Sequence, residues 1–164
     1  MKETLKILNE LKERKLIEDY AIGGGIATIF YVEPFFTYDL DVFIIPVEKR
    51  PQKNILLLSP IFDYLKDEGY HWRGEHMMIE GIPVQFIPAN ELEEEAIRKA
   101  KPTEYEKIKT KIVTPEYLIP ILLLAGRRKD KEKIKKLLEQ AKIDRRKLEK
   151  ILTRYRLKEK IKNL

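Results

Sequence analysis

Leu5, Leu8, Leu11 and Leu16 recur at helical spacing with Lys and Glu between them, which predicts an amphipathic helix over 3–18. A short apolar stretch, Tyr20-Ala21-Ile22, precedes three glycines, Gly23 to Gly25. The run IATIFYV at 26–32 predicts a short buried helix ended by Pro34. Residues 37–46 (TYDLDVFIIP) alternate and are rich in β-branched and aromatic side chains, a strand pattern. A polar loop is expected at 47–54. Ser59-Pro60 has the form of an N-cap followed by proline at the first helical position, with Gly69 as the stop. Residues 70–79 and 82–88 predict two strands turning at Glu80-Gly81. Asn90 should cap a helix whose first turn holds Glu93, Glu94 and Glu95, acids suited to the positive helix end.

Beyond Pro102 the pattern predicts helices. Thr114-Pro115 repeats the cap-then-proline start. EYLIPILLLA is apolar nearly all round, as a buried helix is, and Gly126 should end it. Ile134, Leu137, Leu138 and Ala141 mark one helix face; Leu148, Ile151, Leu152 and Tyr155 mark another, behind Asp144 as cap. The expected architecture is α/β (α+β): a small mixed β-sheet flanked by helices over residues 1–100, then a basic helical part over 101–164.

Composition narrows the function. A chain of 164 residues suits one domain with a helical appendage. The absence of Cys excludes a disulfide framework, thiol catalysis and a thiolate zinc site. No apolar run reaches the ~18 residues of a membrane span, and the first twenty residues lack an apolar signal core, so the expected location is the cytosol. Charge is uneven. Residues 127–164 hold 17 Lys and Arg against 6 Asp and Glu, a net of +11, and the rest of the chain carries −5 of the total +6. Such a tail either docks on the acidic body or meets phosphate. His71 and His76 read as surface or partly buried strand residues.

The chemistry concentrates in two places. Gly24-Gly25 lies between a strand and a helix, and Asp39 and Asp41 lie in the next strand. Alternate strand residues share a face, which puts two carboxylates about 7 Å apart along it. They repel unless a cation lies near. Mg²⁺ fits, since it takes one or two carboxylates together with phosphate oxygens, and glycines let a phosphate approach the backbone. Each feature alone is more often a tight turn or a solvated acidic pair. Two charges inside FFTYDLDVFII, beside a glycine run, are hard to explain by packing. No P-loop sequence is present.

Gly24-Gly25-x-Ala27 followed by Thr37-x-Asp39-x-Asp41 resembles the polymerase-β-like nucleotidyltransferases, and among them the AbiEii/AbiGii-type toxin nucleotidyltransferases of toxin–antitoxin systems. GIPVQFIPANELEEEAI is similar to a later strand and helix of that family, and Arg127-x-Lys129-Asp130 matches its Arg-x-Lys-Asp motif. The resemblance implies Mg²⁺ held by Asp39 and Asp41, and nucleotide binding by Gly24, Gly25, Thr37, Arg127 and Lys129. It implies transfer from an NTP to a hydroxyl on RNA or protein, with an antitoxin-like protein as possible partner. The sequence departs from the family at its third carboxylate, where Gln85 stands, and Phe35 replaces a frequent Arg. A neutral amide is no base, so the alternative expectation is a degenerate module that binds nucleotide, RNA or a partner. Glu75, Glu80 and Glu91 are candidates to replace the missing acid.

Overall fold

In the computed structural model, residues 1–48 and 54–164 are described, so most of the loop expected at 47–54 lies outside them. Helix α1 (Lys2–Glu13) buries Leu5, Leu8 and Leu11 on one face. It stops earlier than its leucine spacing predicts. Lys15 takes a left-handed conformation (φ 59°), and the Leu16 amide donates back to the Leu11 carbonyl at 2.9 Å. Leu16 therefore belongs to the turn, and Ile17 begins strand β1 (Ile17–Ile22). Helix α2 (Gly24–Ile29) starts on the glycines themselves, with Gly23 as N-cap. Strand β2 (Leu40–Pro46) is buried at every residue but the last, because both sheet faces are covered.

Helix α3 (Asn54–Asp67) contains Pro60 in its interior. The predicted start at Ser59-Pro60 is thus corrected: the apolar run before it carries the helix through the proline, at the cost of one backbone hydrogen bond. Residues 70–79 form two strands, not one. These are β3 (His71–Arg73) and β4 (His76–Ile79), joined at Gly74-Glu75. Strand β5 (Ile82–Pro88) follows the expected turn, in which Glu80 and Gly81 both have positive φ. Asn90 caps α4 (Glu91–Arg98) by accepting from the Glu93 amide, and Glu93 returns the bond to the Asn90 amide, a complete capping box.

The largest correction lies between residues 101 and 112. The helical character expected after Pro102 gives way to a hairpin, β6 (Lys101–Tyr105) and β7 (Ile108–Ile112). Its turn residues, Glu106 and Lys107, both have positive φ without being Gly or Asn, so the usual turn signal is missing. Four of the five β6 residues are exposed, and strand alternation is lost among charges.

The helical part then follows as expected, with α5 (Pro115–Ala125), α6 (Arg128–Gln140), α7 (Arg145–Arg154) and a short α8 (Lys158–Lys162). Helix α5 is buried along most of its length and ends at left-handed Gly126. The seven strands form one mixed sheet in the order β3-β4-β5-β2-β1-β7-β6. Strands β2–β5 and β1–β7 pair in parallel and the others antiparallel. Helices α2, α4 and α5 pack together near the centre of the sheet, and α5 in turn supports α6 and α7. Part of the basic tail docks on the acidic body. Arg154 pairs with Glu95, which also accepts from the Tyr155 hydroxyl at 3.2 Å. Among the described residues no helix is long and apolar enough to cross a membrane.

Candidate active site

Strand β2 sits at the middle of the sheet, and its pleat decides what each residue faces. Leu40, Val42 and Ile44 fill the core. Asp41 and Phe43 turn to the other side, toward a cavity of about 450 Å³. In the parallel pairing with β5, Gln85 lies opposite Asp41 and lines the same cavity. Asn90 and Glu93, at the start of α4, form another wall, and Leu118, Ile121 and Leu122 of α5 form an apolar one. Gly24 and Arg127 complete it.

Asp41 is only 8% exposed. Burial, reinforced by the negative charge of Asp39, pushes its carboxyl up to about 6, against the opposing pull of Lys133 and Arg127. Asp39 lies one residue ahead of β2 and outside any strand. Its Oδ2 is 3.0 Å from the Nε2 of His76 on β4. His76 was expected to be an incidental strand residue; the structure makes it the partner of a candidate metal ligand. His71 sits on the neighbouring strand, and the pair lies on two strands.

The glycines have a specific steric reason. A Cβ on Gly24 would lie 1.8 Å from Asp41 Oδ2, and one on Gly25 would lie 2.3 Å from Thr37 Oγ1. Gly24 also has φ +56°, a region L side chains rarely adopt. The space over the glycines is therefore filled by the carboxylate and hydroxyl that the sequence had singled out. The Gly23 amide donates to the Asp41 carbonyl at 2.9 Å, which ties the glycine turn to β2.

Arg127 precedes α6 and holds the buried Asp130 through its Nε at 2.8 Å. That bond raises the guanidinium's pKa further above its ordinary value. Asp130 thereby fixes an arginine at the mouth of the cavity, which accounts for Arg127-x-Lys129-Asp130 as a unit. Lys129 points elsewhere. It lines a neighbouring groove with Phe35, Phe36, Glu132, Lys133 and Lys136.

Gly24, Gly25, Thr37, Asp39, Asp41 and Arg127 thus converge, and Lys129 flanks them. Glu75 and Glu80 lie in hairpin turns and Glu91 is exposed at the start of α4. None of these three lines the cavity. Glu93 does, and burial raises its pKa. In the sequence Glu93 showed only as the third residue after a cap, so its helical role masked its position over β5.

Two carboxylates suit a divalent cation that shares phosphate oxygens. Burial and the Asp39 charge both raise the Asp41 pKa, and a bound cation would offset both. Among the described residues no set of three or more His, Cys, Asp or Glu gathers as a metal cage. A cation here would therefore complete its shell with phosphate and water, as Mg²⁺ commonly does.

No family model matches the chain, and no curated protein matches it by sequence. Solved structures do. The antibiotic-resistance factor ANT(2'')-Ia superposes with a TM-score of 0.53 at 17% identity, covering 94% of this chain and 91% of its own. An antigenic nucleotidyltransferase-like protein from Paracoccidioides brasiliensis superposes with a TM-score of 0.51, also at 17% identity, covering 94% and 87%. Over nearly its whole length, the chain therefore has the mixed α/β fold of the nucleotidyltransferase-like proteins.

Proposed function

We propose that the chain transfers a nucleoside monophosphate from an NTP to an acceptor hydroxyl, with Asp39 and Asp41 holding Mg²⁺. The observation that carries this reading is the buried Asp41, set against Gly24 and facing a nucleotide-sized cavity with Arg127 at its edge. The apolar wall of α5 suits a base, and Arg127 suits a phosphate. Gly24, Gly25 and Thr37 shape the turn beside the triphosphate. When bound, Mg²⁺ supplies the charge that neutralises the phosphate oxygens.

In the reaction the acceptor oxygen bonds to the α-phosphorus. The bond from that phosphorus to the bridging oxygen of the β-phosphate breaks, and its electron pair leaves on pyrophosphate. The hydroxyl proton needs a base. Gln85 cannot serve, and we assign the role to Glu93, directly or through one water. Gln85 opposite Asp41 is the observation that favours the second reading, a module that binds nucleotide without transferring it. A toxin–antitoxin role with a small protein antagonist rests on the short-motif resemblance alone.

The test is a transfer assay with each labelled NTP, Mg²⁺ or Mn²⁺, total RNA and lysate protein. Label should pass to an acceptor with the wild-type chain and not with the Asp39→Asn/Asp41→Asn double variant. Transfer by the double variant would refute the site. Transfer by the wild-type chain separates the two readings, and Glu93→Gln tests the assigned base, because Gln preserves the capping box. That variant should slow transfer by on the order of 10²–10⁴-fold while nucleotide affinity is largely kept. Wild-type rates in Glu93→Gln would remove Glu93 from the mechanism.

A further inference from the structure

Phe36 is 90% exposed and Tyr38, two residues on, is 60% exposed, both in the short segment that leads into Asp39 and β2. Tyr38 sets its ring edge-on to His76 at 5.7 Å, whereas almost the whole Phe36 ring is left to solvent. Helix α6 runs alongside this segment. The Gln140 side chain, at the end of α6, accepts from the Glu33 amide at 2.9 Å, and Arg127, just before its start, stands at the Asp41 cavity. A groove of about 310 Å³ opens between the two, lined by Phe35, Phe36, Lys129, Lys133 and Lys136, with Glu132 at its side. Lys129, Lys133 and Lys136 follow one another at helical spacing on one side of α6. Lys133 pairs weakly with Asp130 at 3.5 Å. Among the described residues no carboxylate forms an ion pair with Lys129 or Lys136. Groove and cavity are linked along the chain: Phe36 stands three residues before Asp39, and Lys129 two residues after Arg127.

We propose that this groove seats a single-stranded nucleic-acid acceptor, with Phe36 stacking a base, Lys129 and Lys136 meeting backbone phosphates, and the strand's hydroxyl delivered to Asp39 and Asp41. The inference rests on the transferase reading for the delivery, and stands apart from it for the binding. Lysines spaced along a helix match a phosphate backbone, and an exposed ring offers a face to any unpaired base. A duplex offers no such base, so single strands are preferred. The nucleotide has its own place in the Asp41 cavity, whose lining includes neither Phe36 nor Lys136.

The experiment measures fluorescence anisotropy of a short labelled single-stranded RNA of mixed sequence, its duplex, and a DNA strand of the same sequence. Calorimetry with Mg²⁺ and each NTP runs in parallel. Phe36→Ala should weaken single-strand binding by about tenfold, and Phe36→Trp should restore it. Lys136→Glu should weaken it further and flatten its salt dependence. Both should leave NTP affinity unchanged, and the wild-type chain should prefer the single strand to the duplex. Unchanged oligonucleotide binding in both variants would overturn the proposal. So would a parallel loss of NTP affinity, which would put the nucleotide in the groove, or label passing only to protein. If the wild-type chain binds RNA through Phe36 but binds no NTP, the transferase reading fails and the groove stands. If it binds and transfers NTP with no dependence on Phe36 or Lys136, the groove fails and the transferase reading stands.

Discussion

Asp41→Asn should make the ligand-free protein more stable at neutral pH while abolishing Mg²⁺–NTP binding. The carboxyl has its pKa raised from the ordinary value of 3.8 to about 6 in the folded chain. Below pH ~4 both folded and unfolded chains hold the proton and the group costs nothing. Between about pH 4 and 6 the unfolded chain ionises first, so folding stability falls as pH rises, and above 6 the loss is complete. A shift of about two units corresponds to about 3 kcal/mol. Asn keeps the shape and has no charge to desolvate. Denaturant unfolding at pH 7.5 should therefore favour Asp41→Asn by up to about 3 kcal/mol, with a melting point up to about 10 °C higher. At pH ~3, below both values, the two proteins should coincide. Equal stability at both pH values would show that Asp41 is not the strained acid described. The same argument gives the ligand's effect: Mg²⁺–NTP should stabilise the wild-type chain and leave Asp41→Asn unmoved.

Gly24→Ala should also abolish nucleotide binding, but with a loss of stability where Asp41→Asn gains it. The new Cβ would fall 1.8 Å from Asp41 Oδ2 and 2.7 Å from its Cγ. Either the turn or the Asp41 side chain must move, and nucleotide binding is lost in both cases. The left-handed backbone at Gly24 adds about 1–2 kcal/mol of strain for an L residue. Gly69→Ala is the control. Gly69 also has positive φ, +92°, but nothing lies within 4 Å of its Cβ position. It should lose stability through the backbone and keep full nucleotide affinity. If Gly24→Ala binds nucleotide as well as Gly69→Ala does, close packing of Asp41 on Gly24 is not a requirement of the site.

These two positions show why so much of the site was legible in the chain. Asp39 and Asp41 stand out because charge in an apolar run is costly, and Gly24 and Gly25 stand out because nothing else permits so close a contact. Glu93 and His76 were hidden for a physical reason. Each has an ordinary local role, one as a capping-box acid and one as a strand residue, and only the tertiary fold sets Glu93 on the Asp41 cavity and His76 against Asp39. The same holds for β6 and β7. Their turn uses Glu106 and Lys107 where Gly or Asn is usual, so the hairpin shows itself only once β7 pairs with β1.

The sequence by itself determined the mixed α/β class, the helical end, most of the caps and the pair of carboxylates beside the glycines. These follow from periodicity, backbone freedom and the cost of burying charge, which are local properties of the chain. The tertiary structure decided where α1 yields to β1, that Pro60 lies within a helix, and that residues 101–112 are strands. It also decided that Arg127 faces the cavity while Lys129 faces the groove, because Arg127 caps α6 with extended backbone while Lys129 lies in its first turn, and only packing fixes what each one meets.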